Sequence, residues 1–389
     1  MGRIATYLLA TSILGLTVFS SEPARADGRR EGRFDFVQIN VVANLPGVAS
    51  HQDGNLLNAW GIAFAPGGDF WVNGNNSGLS LLYDGLGVAN PNLPSVKIPQ
   101  PPLPHRADIT GTSSTPTGII WNPSGGFALP GTKSAAVFVF DTEDGTIAAW
   151  NPGVNLTNAV IAVDNSNVGA GGAVYKGLTF GVTVTGAHLY AANFRAGTVD
   201  VYDAGFNANL VDGRVPNAAA TTNITGTFTD PAIPPGFAPH GIQNINGDIY
   251  VAYAQQDQRR HDAVKGAYLG FVDVFSTDGV LLRHFAAGGS LNAPWGMVQA
   301  PASFGRFGND ILIGNFGDGR INVYNPQGDF VDQLEGPNGQ PIVNGGLWAL
   351  TFGGGTHSSP DTLYISAGPN GETNGVFGAI LPRRVSDDR

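Results

Sequence analysis

Six residues recur along the 389-residue chain beside a short glycine-led unit: Trp60, Thr117, Lys176, His240, Trp295 and, by alignment, Trp348. Their spacings are 57, 59, 64, 55 and 53 residues, so each belongs to a different copy of one repeat. A position serving only to pack would hold similar residues in every copy, yet here three are indoles and three are polar. Indole faces beside a cation and an imidazole suit a small-molecule or sugar site, where flat rings stack on the ligand and polar groups orient it. The alternative expectation is that each Trp packs between repeats as core.

A second set closes the strand after each unit: Gly74, Asp141, Asn193, Tyr253, Asn315 and Ala367. Asp141, Asn193 and Asn315 offer hard oxygen donors and would hold Ca²⁺ if they converged; otherwise such residues cap turns through their own backbone. Zinc would need about three converging His or carboxylate ligands. Of the 7 histidines only His240 stands at a first-strand position, so any activity is expected to need no zinc. With no cysteine in the chain, thiolate chemistry, disulfides and cysteine-ligated metals are excluded. Gln255 to Lys265 is a charged insertion in the His240 repeat that could act as a lid. No Gly-x-Ser-x-Gly elbow, P-loop or dinucleotide fingerprint is found.

The elements that must position these residues follow from the repeat. Each unit (Gly61-Ile-Ala-Phe64 is the first) precedes a second apolar strand such as Phe70-Trp-Val-Asn73 or Ile311-Leu-Ile-Gly314. A third strand follows a glycine-containing turn, as in Thr198-Val-Asp-Val-Tyr202, and a more variable fourth completes most units. Asp84-Gly85, Asp278-Gly279 and Gln327-Gly328 suit hairpin turns that require positive φ. Three or four antiparallel strands repeated six times predict an all-β fold, a six-bladed β-propeller. The sixth unit has only three strands, ending at Gly375–Ile380, while Phe34–Val42 is an orphan strand ahead of the first unit. Pairing the two closes the last blade with the N-terminal strand and removes two exposed edges.

Arg3, the apolar run Ile4 to Phe19 and Ala24-Arg25-Ala26 predict a signal peptide over 1–26, cleaved after Ala26. Residues 27–33 are then expected to be a disordered tail, 34–383 a single propeller and 384–389 a C-terminal tail. The mature chain is expected to be secreted or periplasmic, monomeric and without an integral membrane segment. The formal charge of −10 becomes one unit more negative on cleavage, and the basic residues are scattered. That balance argues against nucleic acid, which needs clustered Lys and Arg.

The stretch Asn309-Asp-Ile-Leu-Ile-Gly-Asn-Phe-Gly-Asp-Gly-Arg-Ile-Asn-Val-Tyr324 resembles NHL-type and gluconolactonase-like six-bladed propellers. Over nearly the whole mature length the chain resembles an uncharacterised exported bacterial propeller family, some members of which end in a PEP-CTERM tail. Asn58-Ala-Trp-Gly-Ile-Ala-Phe64, Ala293-Pro-Trp-Gly-Met297 and Gly345-Gly-Leu-Trp-Ala-Leu350 carry that likeness; the tail is absent here. Pro239-His240-Gly241-Ile242 is similar to an element of paraoxonase-like esterases and streptogramin lyases, in which the histidine faces the active-site mouth. The resemblance implies that His240 could be a catalytic general base. The acidic and Asn calcium ligands of the paraoxonase pattern are not matched. The leading expectation is an exported propeller that binds a small molecule or glycan at the channel mouth through Trp60, Thr117, Lys176, Trp295 and Trp348. A hydrolase or lyase with His240 as base, and a protein-interaction scaffold, are the alternatives. No cofactor is implied beyond possible Ca²⁺.

Overall fold

The computed structural model describes residues 34–102, 109, 111–167, 171–209 and 224–384. The expected signal peptide, residues 27–33 and residues 385–389 lie outside the described residues. Six small sheets, antiparallel except for the parallel pairing of His51–Gln52 with Phe34–Ala43, form the ring of a β-propeller. Blade 1 runs Ala59–Ala63, Phe70–Gly74, Leu79–Tyr83 and Ser95–Lys97; blade 2 runs Pro116–Trp121, Phe138–Thr142, Thr146–Trp150 and Val160–Asp164. Blade 3 is Tyr175–Thr183, Gly186–Asn193, Thr198–Asp203 and Ala208–Asn209; blade 4 is Phe237–Ile245, Asp248–Gln255, Phe271–Phe275 and Leu281–Ala287. Blade 5 is Pro294–Gln299, Ile311–Asn315, Ile321–Tyr324 and Phe330–Gln333, and blade 6 begins with Leu347–Phe352, Leu363–Ala367 and Val376–Arg384. Among the described residues no helix is long and apolar enough to cross a membrane.

Phe34–Ala43 completes blade 6, antiparallel to Val376–Arg384, with Phe34 opposite Arg384 and Ala43 opposite Val376. The closure expected from the orphan strand is therefore present. The final strand runs four residues beyond Ile380 because the partner strand supplies pairing up to Phe34.

Strand side chains alternate between faces, and each blade buries both faces against its neighbours. The apolar core is accordingly divided into seams. Trp71 and Leu82 of blade 1 meet Phe138 and Phe140 of blade 2, and equivalent clusters fill the other five seams. A seventh cluster, with Trp60, Phe194, Phe316 and Trp348, lies on the axis. The repeat glycine permits the close approach of successive innermost strands. A Cβ on Gly241 would stand 2.1 Å from the Trp295 carbonyl oxygen, and one on Gly118 2.3 Å from the Leu178 nitrogen. The sixth copy holds Ala349 instead; there the Ser366 hydroxyl bridges the seam, donating to the Trp60 carbonyl and accepting from the Ala349 amide.

Candidate functional site

In all six blades the pairing of first and second strands slips at the same place. The irregularities fall between Ala59 and Ile62, Pro116 and Ile119, Tyr175 and Leu178, Pro239 and Gly241, Pro294 and Met297, and Leu347 and Leu350. Each interval holds or flanks one of the six recurring residues. A β-bulge re-aims the side chain it carries, so the slip turns these residues toward the axis. In the three Trp-bearing blades the residue two positions earlier has positive φ: Asn58 at 47°, Ala293 at 46° and Gly346 at 66°.

The indoles meet one another. Trp60 and Trp348 stack with centroids 3.5 Å apart, and Trp295 stands edge-on to both, at 6.4 and 6.0 Å. Phe316 stacks on the far face of this group at 4.1 Å from Trp348, and His240 lies 5.8 Å from the same indole. Trp60, Trp348, Thr117, Lys176 and His240 are buried, and Trp295 is half-buried. The group is thus a floor across the channel. Below it, between the innermost strands, the cavity has only about 50 Å³, room for about one or two waters and no organic ligand.

Above the floor lies a charged layer. The Lys176 ammonium pairs with Glu143 Oε1, stands 3.6 Å from Asp262 Oδ1 and lies 5.3 Å from the Trp60 ring. Burial works to strip its proton, but Glu143 and Asp262 outweigh burial and raise its pKa. Trp295 Nε1 donates to the Lys176 carbonyl at 2.7 Å, and Trp348 Nε1 to Asn58 Oδ1 at 3.0 Å. Asn58 Nδ2 donates to Asn75 Oδ1 and Glu372 Oε2, and Asn75 Nδ2 to Glu143 Oε2 at 3.0 Å. Burial, then repulsion from Glu143, raises the Glu372 pKa. The insertion of blade 4 folds across this layer. Asp262 reaches Lys176, the Lys265 ammonium sits 4.0 Å over the Phe316 ring, and His261 Nδ1 contacts Asp262 at 2.8 Å.

His240 differs from the imidazole that a general base requires. Its Nδ1 faces the Pro294 carbonyl oxygen at 3.0 Å, so the proton sits there and Nε2 is left as the acceptor. Burial lowers its pKa to about 3, and among the described residues no carboxylate hydrogen-bonds the ring. Nε2, like Trp60 Nε1, is buried without a hydrogen-bond partner.

The oxygen donors Asp141, Asn193 and Asn315 are largely engaged locally, with Asp141 Oδ2 left buried and without a hydrogen bond. Asp141 Oδ1 accepts from Thr117 Oγ1 at 2.8 Å and from the Gly118 amide at 2.5 Å. Asn193 bonds Asp200 and the Ala196 amide, and Asn315 bonds Ser290, Asp318 and the Asn292 amide. Burial pushes the Asp141 pKa up to about 7. In three blades the residue one position further on reaches the axial group, as Asn75, Phe194 and Phe316 show, and in blade 2 it is Glu143, two positions past Asp141. Glu143, Glu372 and Asn58 were also missed, since they lie in connecting turns. Their acidic or amide character within five residues of a ring position or strand end was the available signal.

A six-bladed propeller with one mouth built from all six blades is the class that fold and site define. The chain belongs to the family that includes an uncharacterised protein of Acanthamoeba polyphaga mimivirus, 30% identical over 349 residues, 89% of this chain and 80% of that protein. A second uncharacterised protein of the same virus is 30% identical over 348 residues, covering 89% of this chain and 85% of the other. No family model matches. Among solved structures, the soluble aldose sugar dehydrogenase of Escherichia coli is 11% identical with a TM-score of 0.51, covering 90% of this chain and all (100%) of that one. A streptogramin B lyase structure is 12% identical with a TM-score of 0.48, covering 90% of this chain and 98% of the other. At such identities the likeness is one of fold.

Proposed function

We propose that this propeller binds a small polar molecule or glycan at the mouth, between the indole floor and the blade 4 insertion, and that it does so outside the cytoplasm. The sequence of residues 1–26 supports the location. The observation that carries the binding reading is the pairing of a buried Lys176–Glu143 contact with an aromatic floor holding two unused polar atoms, Trp60 Nε1 and His240 Nε2. Buried polar atoms are normally hydrogen-bonded, and a donor and an acceptor on one apolar surface suit hydroxyl groups, which both give and accept. The hydrolase or lyase reading has less support, because His240 is held neutral with a pKa of about 3 and lacks a carboxylate partner. A scaffold does not account for a buried charge layer.

The test is a thermal-shift and tryptophan-fluorescence screen of sugars, lactones and small zwitterions against the wild type and Trp295→Ala. Trp295 is half-buried, so its truncation should cost less than the roughly 3–5 kcal/mol of a core indole while weakening binding at least about tenfold. If no compound shifts the wild type, or if the shift survives in Trp295→Ala, the assignment fails.

A further inference from the structure

Away from the mouth, the outer half of blade 4 carries a second cluster of ligand-type side chains. Asp273 on the third strand and His284 on the fourth are cross-strand partners, and Asp230 comes from the segment that enters the blade. His284 Nδ1 lies 3.1 Å from Asp273 Oδ1 and 2.9 Å from Asp230 Oδ2. All three ligand atoms fall within 4.8 Å of one another. One imidazole N–H can serve only one carboxylate, and only the contact to Asp273 has hydrogen-bond geometry. Asp230 Oδ1 is committed to the Ala232 amide at 2.8 Å, which leaves Oδ2 turned inward. Asp230 Oδ2 and Asp273 Oδ2 are buried without hydrogen bonds.

The second observation is Tyr253. It is 4% exposed, its hydroxyl has no hydrogen-bond partner, and it shares a sheet face with Asp273. Asp273 and Asp230 lie close enough to act on this hydroxyl through their charge. Two buried carboxylates and an imidazole meet beside an unused donor on the same sheet face, and among the described residues no lysine or arginine pairs with either carboxylate. The mouth offers a comparable triad in Glu143, His261 and Asp262, but there Lys176 already supplies the positive charge.

The geometry points to a binding site for one divalent transition cation, Zn²⁺ in preference to Ca²⁺ or Mg²⁺, with Asp230 Oδ2, Asp273 Oδ1 and His284 Nδ1 as protein ligands. Ligands about 2.1 Å from a common ion stand roughly 3.0–3.4 Å apart, and the observed 2.9 and 3.1 Å fall at that edge. A nitrogen donor favours zinc-class ions over Ca²⁺ and Mg²⁺, which take oxygen ligands. Tyr253, on the same sheet face as Asp273, keeps a hydroxyl available to donate to a ligating carboxylate. His284 is 61% exposed in its side chain, which gives the ion entry and leaves a position for water. The ion ties the segment entering blade 4 to the blade itself.

The test uses the full purified chain, stripped with chelator and titrated with Zn²⁺, Mn²⁺, Ca²⁺ and Mg²⁺ by calorimetry, with melting curves in parallel. One equivalent of Zn²⁺ should bind and raise the melting temperature, with Ca²⁺ and Mg²⁺ at least about tenfold weaker. His284→Ala, an exposed change that leaves folding intact, should weaken Zn²⁺ at least about tenfold, and Asp230→Asn should do the same. His261→Ala at the mouth should leave this binding unchanged. No Zn²⁺ response in the wild type, equal binding by His284→Ala, or loss of the response only in His261→Ala would each overturn the site.

Discussion

At the scale of single residues, the inner strands of the blades hold two titratable groups whose burial acts in opposite directions. His240 has a pKa of about 3 against 6.5 for an unperturbed imidazole. Between those values the unfolded chain carries the proton and the folded chain does not, so His240 lowers stability as pH falls below about 6.5. Asp141 is raised from 3.8 to about 7. In that window the folded protein holds the proton that the unfolded chain has lost, so Asp141 lowers stability as pH rises from about 4 to 7. Urea unfolding at pH 7 and pH 4 separates the two. His240→Gln should gain about 2–3 kcal/mol relative to the wild type on moving to pH 4, and Asp141→Asn should shift the opposite way. A His240→Gln difference independent of pH would mean that the imidazole is solvated in the folded protein.

At the scale of the strand, the repeat glycine is the element on which the ring's diameter depends. Gly241→Ala would place a methyl group 2.1 Å from the Trp295 carbonyl, against backbone that cannot swing away. It should cost about 2–3 kcal/mol or more, whereas Gly54→Ala, with open space around its Cβ and no positive φ, should change stability by less than about 0.5 kcal/mol. Denaturant midpoints of the two variants compare them directly; equal values would show that the blades slide apart at little cost. This glycine was legible in the sequence because it recurs in five of the six repeats, Ala349 standing in the sixth. The strands were legible for the same reason, through alternation and turn chemistry. The bulges were not, since an irregularity of pairing leaves no mark on composition. Reading the strand ends therefore placed Asp141, Asn193 and Asn315 at the mouth, where Glu143, Phe194 and Phe316 stand. The Asp230, Asp273 and His284 cluster was also illegible, because its members lie on different segments and meet only through the crossing into blade 4.

For the molecule as a whole, the first described strand does more than add an edge. Phe36 packs with Phe304 and Phe307 in the seam of blades 5 and 6, while Val41 and Val42 pack with Phe70 and Phe377 in the seam of blades 6 and 1. It also links blade 6 to blade 1 through the chain, so every seam of the ring is crossed by a covalent connection. Deleting it would confuse lost contacts with lost closure; a circular permutant separates them. Phe34 and Arg384 are opposite in the pairing, so a two-residue Asn-Gly turn can join them. New ends can then open in the exposed turn at Asn338 and Gly339, between blades 5 and 6. All strands and seam contacts survive in that permutant, but the seam of blades 5 and 6 is held by packing alone. If closure contributes beyond its contacts, the permutant should be less stable by roughly 2–4 kcal/mol, the scale of closing a long loop. It should also unfold with a lower denaturant slope, because blade 6 can part from blade 5 before the rest yields. A permutant with wild-type midpoint and slope would show that seam packing alone closes the ring, and that the strand acts only through the side chains it buries.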